Sequence, residues 1–217
     1  MDNAFHEVLK QGLAWLKLEA SPELVRGLEL HADELLKWNQ KVNLTAVSDP
    51  AEVAEKHLVD SLTVLSELEG ATTLLDLGTG GGFPGIPVAV ARPDLQVTLV
   101  DAVQKKVAFL KNVVARAGLA KRVVAAHVHA NGKPEAEKLP VVDAVVARAF
   151  TEPDGLLKLA APYLKPGGRV VAMLGRWDQA ALEKVAADNG YRLVGVRAFT
   201  LPRSGDPRAV ARFDRST

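Results

Sequence analysis

The sequence predicts a doubly wound α/β domain that follows a helical N-terminal segment. From residue 72 onward, short apolar runs rich in Val and Leu alternate with segments of helical character. Such runs are typical of parallel strands that are covered by helices on both faces. A glycine-rich stretch stands between the first strand and the first helix, where open α/β sheets form their ligand pockets. We therefore expect one structural domain, with residues 1–70 packed as a helical segment on a core of residues 71–217.

Two helix starts are marked in the N-terminal segment. Ser21 precedes Pro22, which is the arrangement of a capping hydroxyl followed by proline at the first helical position. Asp49 and Pro50 repeat this arrangement, with Glu52 three residues after the aspartate. Apolar residues then recur at helical spacing at Leu24, Val25, Leu28, Ala32, Leu35 and Leu36. This segment is therefore predicted to be helical.

The core is predicted to contain five strands before residue 190 and two after it. The first five are expected at residues 72–77, 96–101, 122–128, 141–147 and 169–174. Helices are expected to begin near Pro84, Gln104, Glu152 and Trp177. Residues 191–201 and 209–213 read as two strands joined by a Pro/Gly turn, and such a pair can form a hairpin on the edge of the sheet.

The composition excludes several classes of protein. The chain has 217 residues, of which 48% are hydrophobic and 24% are charged, as in ordinary soluble domains. No apolar run approaches the ~20 residues that cross a bilayer, and the first residues lack the basic-then-apolar order of a signal peptide. Cysteine is absent, which excludes disulfides, thiol catalysis and Cys-based zinc sites. We therefore expect a cytoplasmic protein without a membrane anchor.

Basic residues cluster in two places, although the net charge of +1 does not indicate a nucleic-acid-binding protein. Six arginines but only two acids lie between residue 192 and the end of the chain. The second cluster consists of Lys105, Lys106, Lys111, Arg116, Lys121 and Arg122. Each cluster fits RNA contact, and each also fits a solvated helix face or a charged sheet edge.

The glycine-rich stretch carries the first functional signal. It reads Leu-Leu-Asp-Leu-Gly-Thr-Gly-Gly-Gly-Phe-Pro-Gly over residues 74–85. Gly78, Gly80 and Gly82 permit positive φ angles and allow a ligand to approach the backbone. Twenty-five residues after Asp76, Asp101 ends the next strand, where a carboxylate is placed to accept both hydroxyls of a ribose. The pattern predicts a nucleoside-cofactor site.

The spacing alone fits either a dinucleotide-binding enzyme or a methyltransferase, and two details favour the methyltransferase. Asp76 lies two residues before the first glycine, as an acid suited to the cationic end of a methionine moiety. The helix opens with Phe83 and Pro84, and the loop contains no basic side chain for a pyrophosphate. A nucleotide-binding oxidoreductase remains the alternative from another class.

At this point the chain resembles a known family, the bacterial 16S rRNA guanine-N7 methyltransferases, also called glucose-inhibited division protein B. The resemblance runs through nearly the whole chain. It is carried by residues 41–45 (Lys-Val-Asn-Leu-Thr), 57–62 (His-Leu-Val-Asp-Ser-Leu), the glycine loop with its extension through Pro87, Asp101 with Lys105, Lys106, Phe109 and Leu110, Arg148-Ala149-Phe150, and the ending from Leu201 to Arg208.

The resemblance implies a class I S-adenosylmethionine-dependent methyltransferase, with a Rossmann-like, mostly parallel seven-stranded sheet. Its implied reaction is methylation of N7 of one guanosine in 16S rRNA, either as RNA or in a small-subunit particle. It places the cofactor on Gly78, Gly80, Gly82 and Phe83, the ribose on Asp101, and the adenine beside Ala130 and Asn131. Arg148 matches an arginine near the methyl donor, and we expect it to orient guanine or the donor.

Two positions depart from the family pattern. His129-Ala130-Asn131 stands where Arg-Ala-Glu is usual, and Leu174 stands where the family has a lysine. Arg176 is a candidate to replace that lysine, and a backbone amide near Asn131 is a candidate to contact the adenine. A methyltransferase of small molecules on the same fold is one alternative. The two departures keep a second one open, a non-catalytic RNA-binding assembly factor on this fold.

Five residues are candidates for substrate contact, namely Asn43, His57, Asp60, Lys105 and Arg208. His57 and Asp60 share one helix face with Ser61, which fits either a packing network or the lining of a pocket. A metal site made from one His and one Asp is underdetermined, so no metal is expected. Turn chemistry explains Asn43 as well as substrate contact does, and Lys105 fits phosphate contact or plain solvation equally. We expect a monomer.

Overall fold

The computed structural model describes residues 1–148 and 152–216. Ala149 and Phe150, which form part of the family resemblance, lie outside the described residues. The described α-helices are α1 (Asn3–Trp15), α2 (Pro22–Asn39), α3 (Pro50–Val53), α4 (Asp60–Leu62), α5 (Gly85–Ala91), α6 (Gln104–Arg116), α7 (Pro134–Glu137), α8 (Pro153–Ala160) and α9 (Gln179–Asp188). A π-helical stretch, Ala54–Val59, joins α3 to α4, and Leu65–Leu68 and Ala161–Tyr163 are 3₁₀ turns.

Both predicted helix starts are present. Ser21 Oγ accepts a hydrogen bond from the backbone N–H of Leu24 at 3.3 Å, which caps α2. Asp49 Oδ1 accepts from the N–H of Glu52 at 2.9 Å, which caps α3. These caps satisfy backbone donors that have no partner inside the helix.

The strands form the predicted sheet. They are β1 (Thr73–Leu77), β2 (Gln96–Asp101), β3 (Val123–His127), β4 (Val142–Arg148), β5 (Leu164–Leu174), β6 (Tyr191–Thr200) and β7 (Pro207–Arg215). In the described chain they make one seven-stranded sheet in the order β3-β2-β1-β4-β5-β7-β6. β7 is antiparallel to both of its neighbours, and the pairs from β3 across to β5 are parallel. The doubly wound fold and the terminal hairpin are therefore confirmed.

β5 begins earlier than the sequence predicts. We expected it at residue 169, but it starts at Leu164, which pairs with Val142 of β4. The next pair joins Arg169 to Ala144, so the register shifts between the two pairs. The intervening Lys-Pro-Gly-Gly residues bulge out of the ladder, and this is why the strand pattern in the sequence becomes regular only from Arg169.

The helical segment and one face of the sheet share a continuous core. Phe5 of α1, Leu28 of α2 and Phe109 of α6 are all buried in the cluster that includes Leu74 of β1. The next residue of that strand, Leu75, lies in the cluster on the opposite face, as the alternation of side chains along a strand requires. No helix in residues 1–148 and 152–216 is long and apolar enough to cross a membrane.

Several residues of the basic clusters have partners within the protein. Arg192 and Arg212 both form ion pairs with Asp214, and Arg116 pairs with Glu34. Arg122 donates to the Ala89 carbonyl at 2.6 Å, and Arg215 donates to the Ala161 carbonyl at 2.8 Å. These arginines therefore have partners within the fold, so their charge is partly balanced inside the protein.

Asp143 connects β4 to the start of β1. Its Oδ2 lies within 3.0 Å of the backbone nitrogens and hydroxyls of both Thr72 and Thr73, and Oδ1 accepts from Lys165 Nζ at 2.8 Å. Burial by itself raises the pKa of Asp143, but the Lys165 ammonium and the threonine hydrogen bonds outweigh it and hold the pKa well below its usual range.

We expect Asp143→Asn to lower the free energy of unfolding by about 1–3 kcal/mol at pH 7, because hydrogen bonds to a charged group are lost. The folded-state pKa lies below the unfolded value of about 3.9. The carboxylate therefore stabilises the fold fully above about pH 4 and progressively less as the pH falls further. The free energy of unfolding is measured with urea at pH 7 and pH 3. The difference between Asp143→Asn and the unmodified protein should be smaller at pH 3 than at pH 7. Asp188→Asn, at an exposed carboxylate that contacts Lys184, is the control; an equal Asp143→Asn difference at both pH values would contradict the assignment.

Candidate functional site

The glycine loop between β1 and α5 is held closed by one buried carboxylate. Asp76 is fully buried, and its Oδ2 accepts from the Thr79 hydroxyl at 2.5 Å and from the Gly85 N–H at 2.7 Å. Burial raises the pKa of Asp76 to about 6, against the lowering effect of these two hydrogen bonds. Asp76 Oδ1 has no hydrogen-bond partner in the described part of the chain. One oxygen of the predicted cofactor ligand therefore shapes the loop, and the other is buried without a partner among the described residues.

The glycines of the loop serve different purposes. Gly80 has a φ of +59° and is half-buried, and a Cβ placed there would meet nothing closer than the Gly78 carbonyl at 3.9 Å. The space beside Gly80 is therefore open to a ligand. At Gly82 a Cβ would lie 2.5 Å from Ile86 Cδ1 and 3.1 Å from His31 Nε2. Gly82 has a φ of +87°, as expected for this loop, and it is also closely packed, which the sequence did not reveal.

Asp101 lies at the end of β2, directly beside the loop. Its Oδ2 accepts from the Gly80 N–H at 3.0 Å, and its Oδ1 accepts from the Val103 N–H at 2.8 Å. The Lys106 ammonium is 4.0 Å from the carboxylate. A carboxylate oxygen accepts more than one hydrogen bond, so Asp101 retains acceptor capacity next to the open space at Gly80. This geometry fits the hydroxyls of a ribose.

The loop after β3 is anchored by residues that the sequence did not single out. The N–H of Asn131 donates to Glu137 Oε1 at 2.8 Å, and the N–H of Gly132 donates to the Tyr163 hydroxyl at 2.9 Å. Tyr163 in turn hydrogen-bonds to Glu137. The backbone amide of Asn131 therefore has a partner within the protein. The Asn131 side chain is exposed, and Ala130 is half-buried.

A cavity of about 400 Å³ opens beside the loop, at the carboxyl ends of β4 and β5. We call it the acceptor cavity. Its polar lining comes from the helical segment, from β4 and from β7, and consists of Lys56, His57, Asp60, Arg148 and Arg208. The remaining wall is Val47, Met173, Leu174, Gly175 and Ala209.

Phe83 connects the glycine loop to the acceptor cavity. Its ring centroid lies 4.7 Å from that of His57, and the Arg148 guanidinium carbon lies 4.9 Å from it. On the other side of the loop, the His31 ring stacks on Phe83 at 4.6 Å. The predicted cofactor loop and the predicted substrate residues therefore share one aromatic ring.

The charged side chains that line the acceptor cavity are one carboxylate, two guanidinium groups and the Lys56 ammonium. Asp60 Oδ2 lies 3.8 Å from Arg148 Nη1 and 3.7 Å from Arg208 Nε. Burial, and next the Arg148 charge, lower the pKa of His57 to about 4, so this ring is neutral near pH 7. Its Nε2 lies 2.7 Å from the Thr45 hydroxyl and its Nδ1 lies 3.0 Å from the Lys56 carbonyl.

The structure brings together three of the five candidate substrate residues. His57, Asp60 and Arg208 line the acceptor cavity, whereas the exposed side chains of Asn43 and Lys105 do not. Leu174 lines the cavity, but Arg176 does not and instead lies on a neighbouring one. Arg176 therefore does not replace the family lysine inside this cavity. Among the described residues, no group of three His, Asp or Glu side chains is placed to hold a metal ion.

Two buried residues that support the site were missed from the sequence. Glu55 is buried in the π-helical stretch and accepts from the N–H groups of Arg203 and Ser204, which fixes the turn between β6 and β7 near Arg208. His31 of α2 is also buried, and its Nε2 donates to the Gly81 carbonyl at 2.7 Å. Their partners lie 50 or more residues away in the sequence, so no local pattern marks them.

The fold and the loop define a class I methyltransferase domain. Similar solved structures include an O-methyltransferase from Bacillus cereus in complex with SAH (TM-score 0.60, 18% identity, 85% of this chain and 90% of that chain). A SAM-dependent methyltransferase from Aquifex aeolicus is also similar (TM-score 0.58, 20% identity, 84% of this chain and 97% of that chain). At these identities the likeness concerns the fold.

The family is shown by the sequence relatives. The family model GidB, described as rRNA small subunit methyltransferase G, matches residues 25–206. The ribosomal RNA small subunit methyltransferase G of Anaeromyxobacter sp. (strain Fw109-5) is 54% identical over 98% of this chain and 99% of its own length. The protein of the same name from Myxococcus xanthus is 50% identical over 98% and 99%. The chain belongs to the GidB family, which confirms the resemblance drawn from its motifs.

We expect the buried histidines to make the fold sensitive to mild acid. Burial lowers the pKa of His31 to about 3, well below the unfolded value of about 6.5. Below about pH 6.5 the His31 ring is protonated in the unfolded chain and stays neutral in the folded chain. The free energy of unfolding therefore decreases as the pH falls below this value. His31 and His57 should each lower the free energy of unfolding by about 2 kcal/mol between pH 7 and pH 5.

His31→Gln should remove about half of the loss of stability between pH 7 and pH 5. The other half remains because His57 is still present and is also held neutral in the folded protein. The measurement is urea unfolding at pH 7, 6 and 5. His129→Gln, at an exposed histidine, is the matched control and should leave the pH dependence unchanged. A His31→Gln variant with the full acid sensitivity of the unmodified protein would show that His31 is not held neutral.

Proposed function

We propose that this protein is an S-adenosylmethionine-dependent methyltransferase that methylates N7 of a guanosine in 16S ribosomal RNA. The observation that carries the proposal is the junction at Phe83, where a nucleoside-binding loop adjoins a cavity lined by two arginines. Membership of the GidB family supports the reaction and the kind of RNA.

The cofactor is proposed to occupy the open space at Gly80. Asp101 accepts from its ribose hydroxyls, and Asp76 faces its methionine end through the oxygen that has no other partner among the described residues. The rest of the proposed cofactor site consists of Gly78, Gly82, Phe83, Ala130, Asn131 and Arg148.

When bound, S-adenosylmethionine supplies a methyl group on a sulfonium centre, which guanine N7 accepts by in-line displacement. Guanine N7 has an exposed lone pair, so no proton has to be removed first. The chain therefore needs alignment more than a general base, and orientation alone supplies roughly 7–11 kcal/mol of a barrier. Arg148 is our proposed catalytic residue, since its guanidinium lies against Phe83 and is a natural donor to guanine O6.

The acceptor is proposed to be 16S rRNA or a small-subunit particle. His57, Asp60 and Arg208 contact the target nucleotide in the acceptor cavity, and Asn43 and Lys105 contact flanking RNA from exposed positions. We propose that the protein works as a monomer in the cytoplasm, where ribosomal subunits are assembled, and that the reaction requires no metal ion.

The direct experiment combines purified protein, tritiated S-adenosylmethionine and small ribosomal subunits that lack native methylation. Nuclease mapping should place the label on N7 of a single guanosine of 16S rRNA. Cofactor binding by calorimetry without transfer to subunits or naked rRNA would overturn the rRNA proposal and direct attention to small-molecule acceptors. Absence of both would indicate a chain that has kept the fold and lost the reaction.

We expect Asp101→Asn to raise the dissociation constant for S-adenosylmethionine by about tenfold or more, because charge-assisted hydrogen bonds are worth about 1.5–3 kcal/mol. Calorimetric titration measures it. Asp94→Asn, at an exposed carboxylate that pairs with Arg92 before β2 begins, is the matched control and should bind as the unmodified protein does. Equal affinity in both variants would remove Asp101 from the cofactor site.

A further inference from the structure

We propose that Asp60 selects guanine by accepting hydrogen bonds from the N1–H and N2–H₂ groups of its Watson–Crick edge. This inference rests on the proposed function, since it concerns the nucleotide that the acceptor cavity takes. It assigns a specificity-determining residue and the chemical group that this residue reads.

Asp60 is a buried carboxylate whose acceptor capacity the fold leaves unused. Asp60 is only 3% exposed, and its Oδ1 has no hydrogen-bond partner in residues 1–148 and 152–216. Oδ2 lies 3.7 and 3.8 Å from the nearest arginine nitrogens, which is an ion-pair distance and longer than a hydrogen bond. Buried carboxylates normally accept several hydrogen bonds. Donors from a ligand would therefore satisfy a group that the protein alone does not satisfy.

The backbone around Asp60 is held firmly. Asp60 follows the π-helical stretch directly, and such irregular turns are frequent at functional sites. The Ser61 hydroxyl donates to the His57 carbonyl at 2.5 Å, and the Thr63 hydroxyl donates to the Asp60 carbonyl at 2.6 Å. Neither hydroxyl uses the Asp60 carboxylate, so these bonds hold the backbone while Oδ1 keeps its acceptor capacity.

The polar groups of the cavity match guanine in their order. Arg148 and Arg208 supply donors next to Oδ2 of Asp60, and Oδ1 of the same carboxylate is an acceptor without a partner among the described residues. Guanine presents one acceptor, O6, next to two donors, N1–H and N2–H₂. Adenine presents a donor at N6 and a lone pair at N1, which would face the carboxylate and be repelled. With this edge held by Asp60, N7 on the other ring stays free to accept a methyl group.

Burial raises the pKa of Asp60, although Arg148 and Arg208 lower it. Lys56, Arg148 and Arg208 outnumber the single carboxylate, and the neutral His57 adds no charge. The cavity is therefore electropositive whether or not Asp60 is ionised, and an uncharged base that presents a carbonyl oxygen suits this balance.

The test uses inosine, which keeps O6, N1–H and N7 of guanosine but lacks the N2 amino group. Small subunits are reconstituted with 16S rRNA that carries either guanosine or inosine at the position labelled in the transfer experiment. Methyl transfer is measured as kcat/KM with tritiated S-adenosylmethionine. The unmodified protein should prefer guanosine by about 10- to 100-fold, because removing one hydrogen-bonding partner from a buried charge is costly.

Asp60→Asn should lower kcat/KM on guanosine at least tenfold and reduce the preference for guanosine over inosine to about threefold or less. Asp206→Asn is the matched control, since the partly exposed Asp206 also pairs with Arg208, at 3.4 Å. It should leave the preference unchanged. Circular dichroism and calorimetric cofactor binding confirm that each variant is folded.

Two results would overturn the proposal. Equal transfer to guanosine and inosine by the unmodified protein would show that N2 is not read, whatever the variants do. An Asp60→Asn variant that loses activity equally on both substrates would show that Asp60 only positions the arginines. Absence of transfer to guanosine itself would instead remove the proposed function, and this inference with it.

Discussion

The buried carboxylate of Asp76 is the constraint on which the site depends. It bonds the Thr79 hydroxyl and the Gly85 N–H at the same time, so both ends of the glycine loop are drawn to one point below it. A residue larger than glycine does not fit at position 85, because a Cβ there would lie 2.6 Å from Asp76 Oδ2 and 2.3 Å from Leu99 Cδ2. The loop therefore has little freedom to change shape, and every group that contacts it is positioned by the same bonds.

Phe83 transmits this positioning to the acceptor cavity. The ring contacts the His31 ring, the His57 ring and the Arg148 guanidinium. Both histidines are held neutral by burial, so Arg148 is the cation that faces this aromatic group among its described neighbours. A cation over an aromatic face is worth about 1 kcal/mol or more when partly desolvated. The two halves of the site are thus joined by packing and not by a flexible linker.

The sequence predicted those features that depend on local order along the chain. The strands, the glycine loop and Asp101 follow from spacing, because parallel strands bring their carboxyl ends to one edge. Glu55 and His31 could not be found in this way, since their hydrogen bonds reach Ser204 and Gly81 across large sequence separations. Gly82 illustrates a further limit: a glycine pattern does not distinguish an opening for a ligand from a close contact with Ile86. The early start of β5 was missed because the bulge hides its periodicity.

The acceptor cavity is assembled from both ends of the chain. His57 and Asp60 come from the helical segment, whereas Arg208 comes from the last strand of the sheet, held near them by Glu55. Domains generally fold as units as the chain is synthesised, and N-terminal parts leave the ribosome first. Because Arg208 lies on β7, the cavity cannot be complete until this strand has been synthesised and has paired with β5. The lining of the site is consequently finished only at the end of translation, when the last strand joins the sheet.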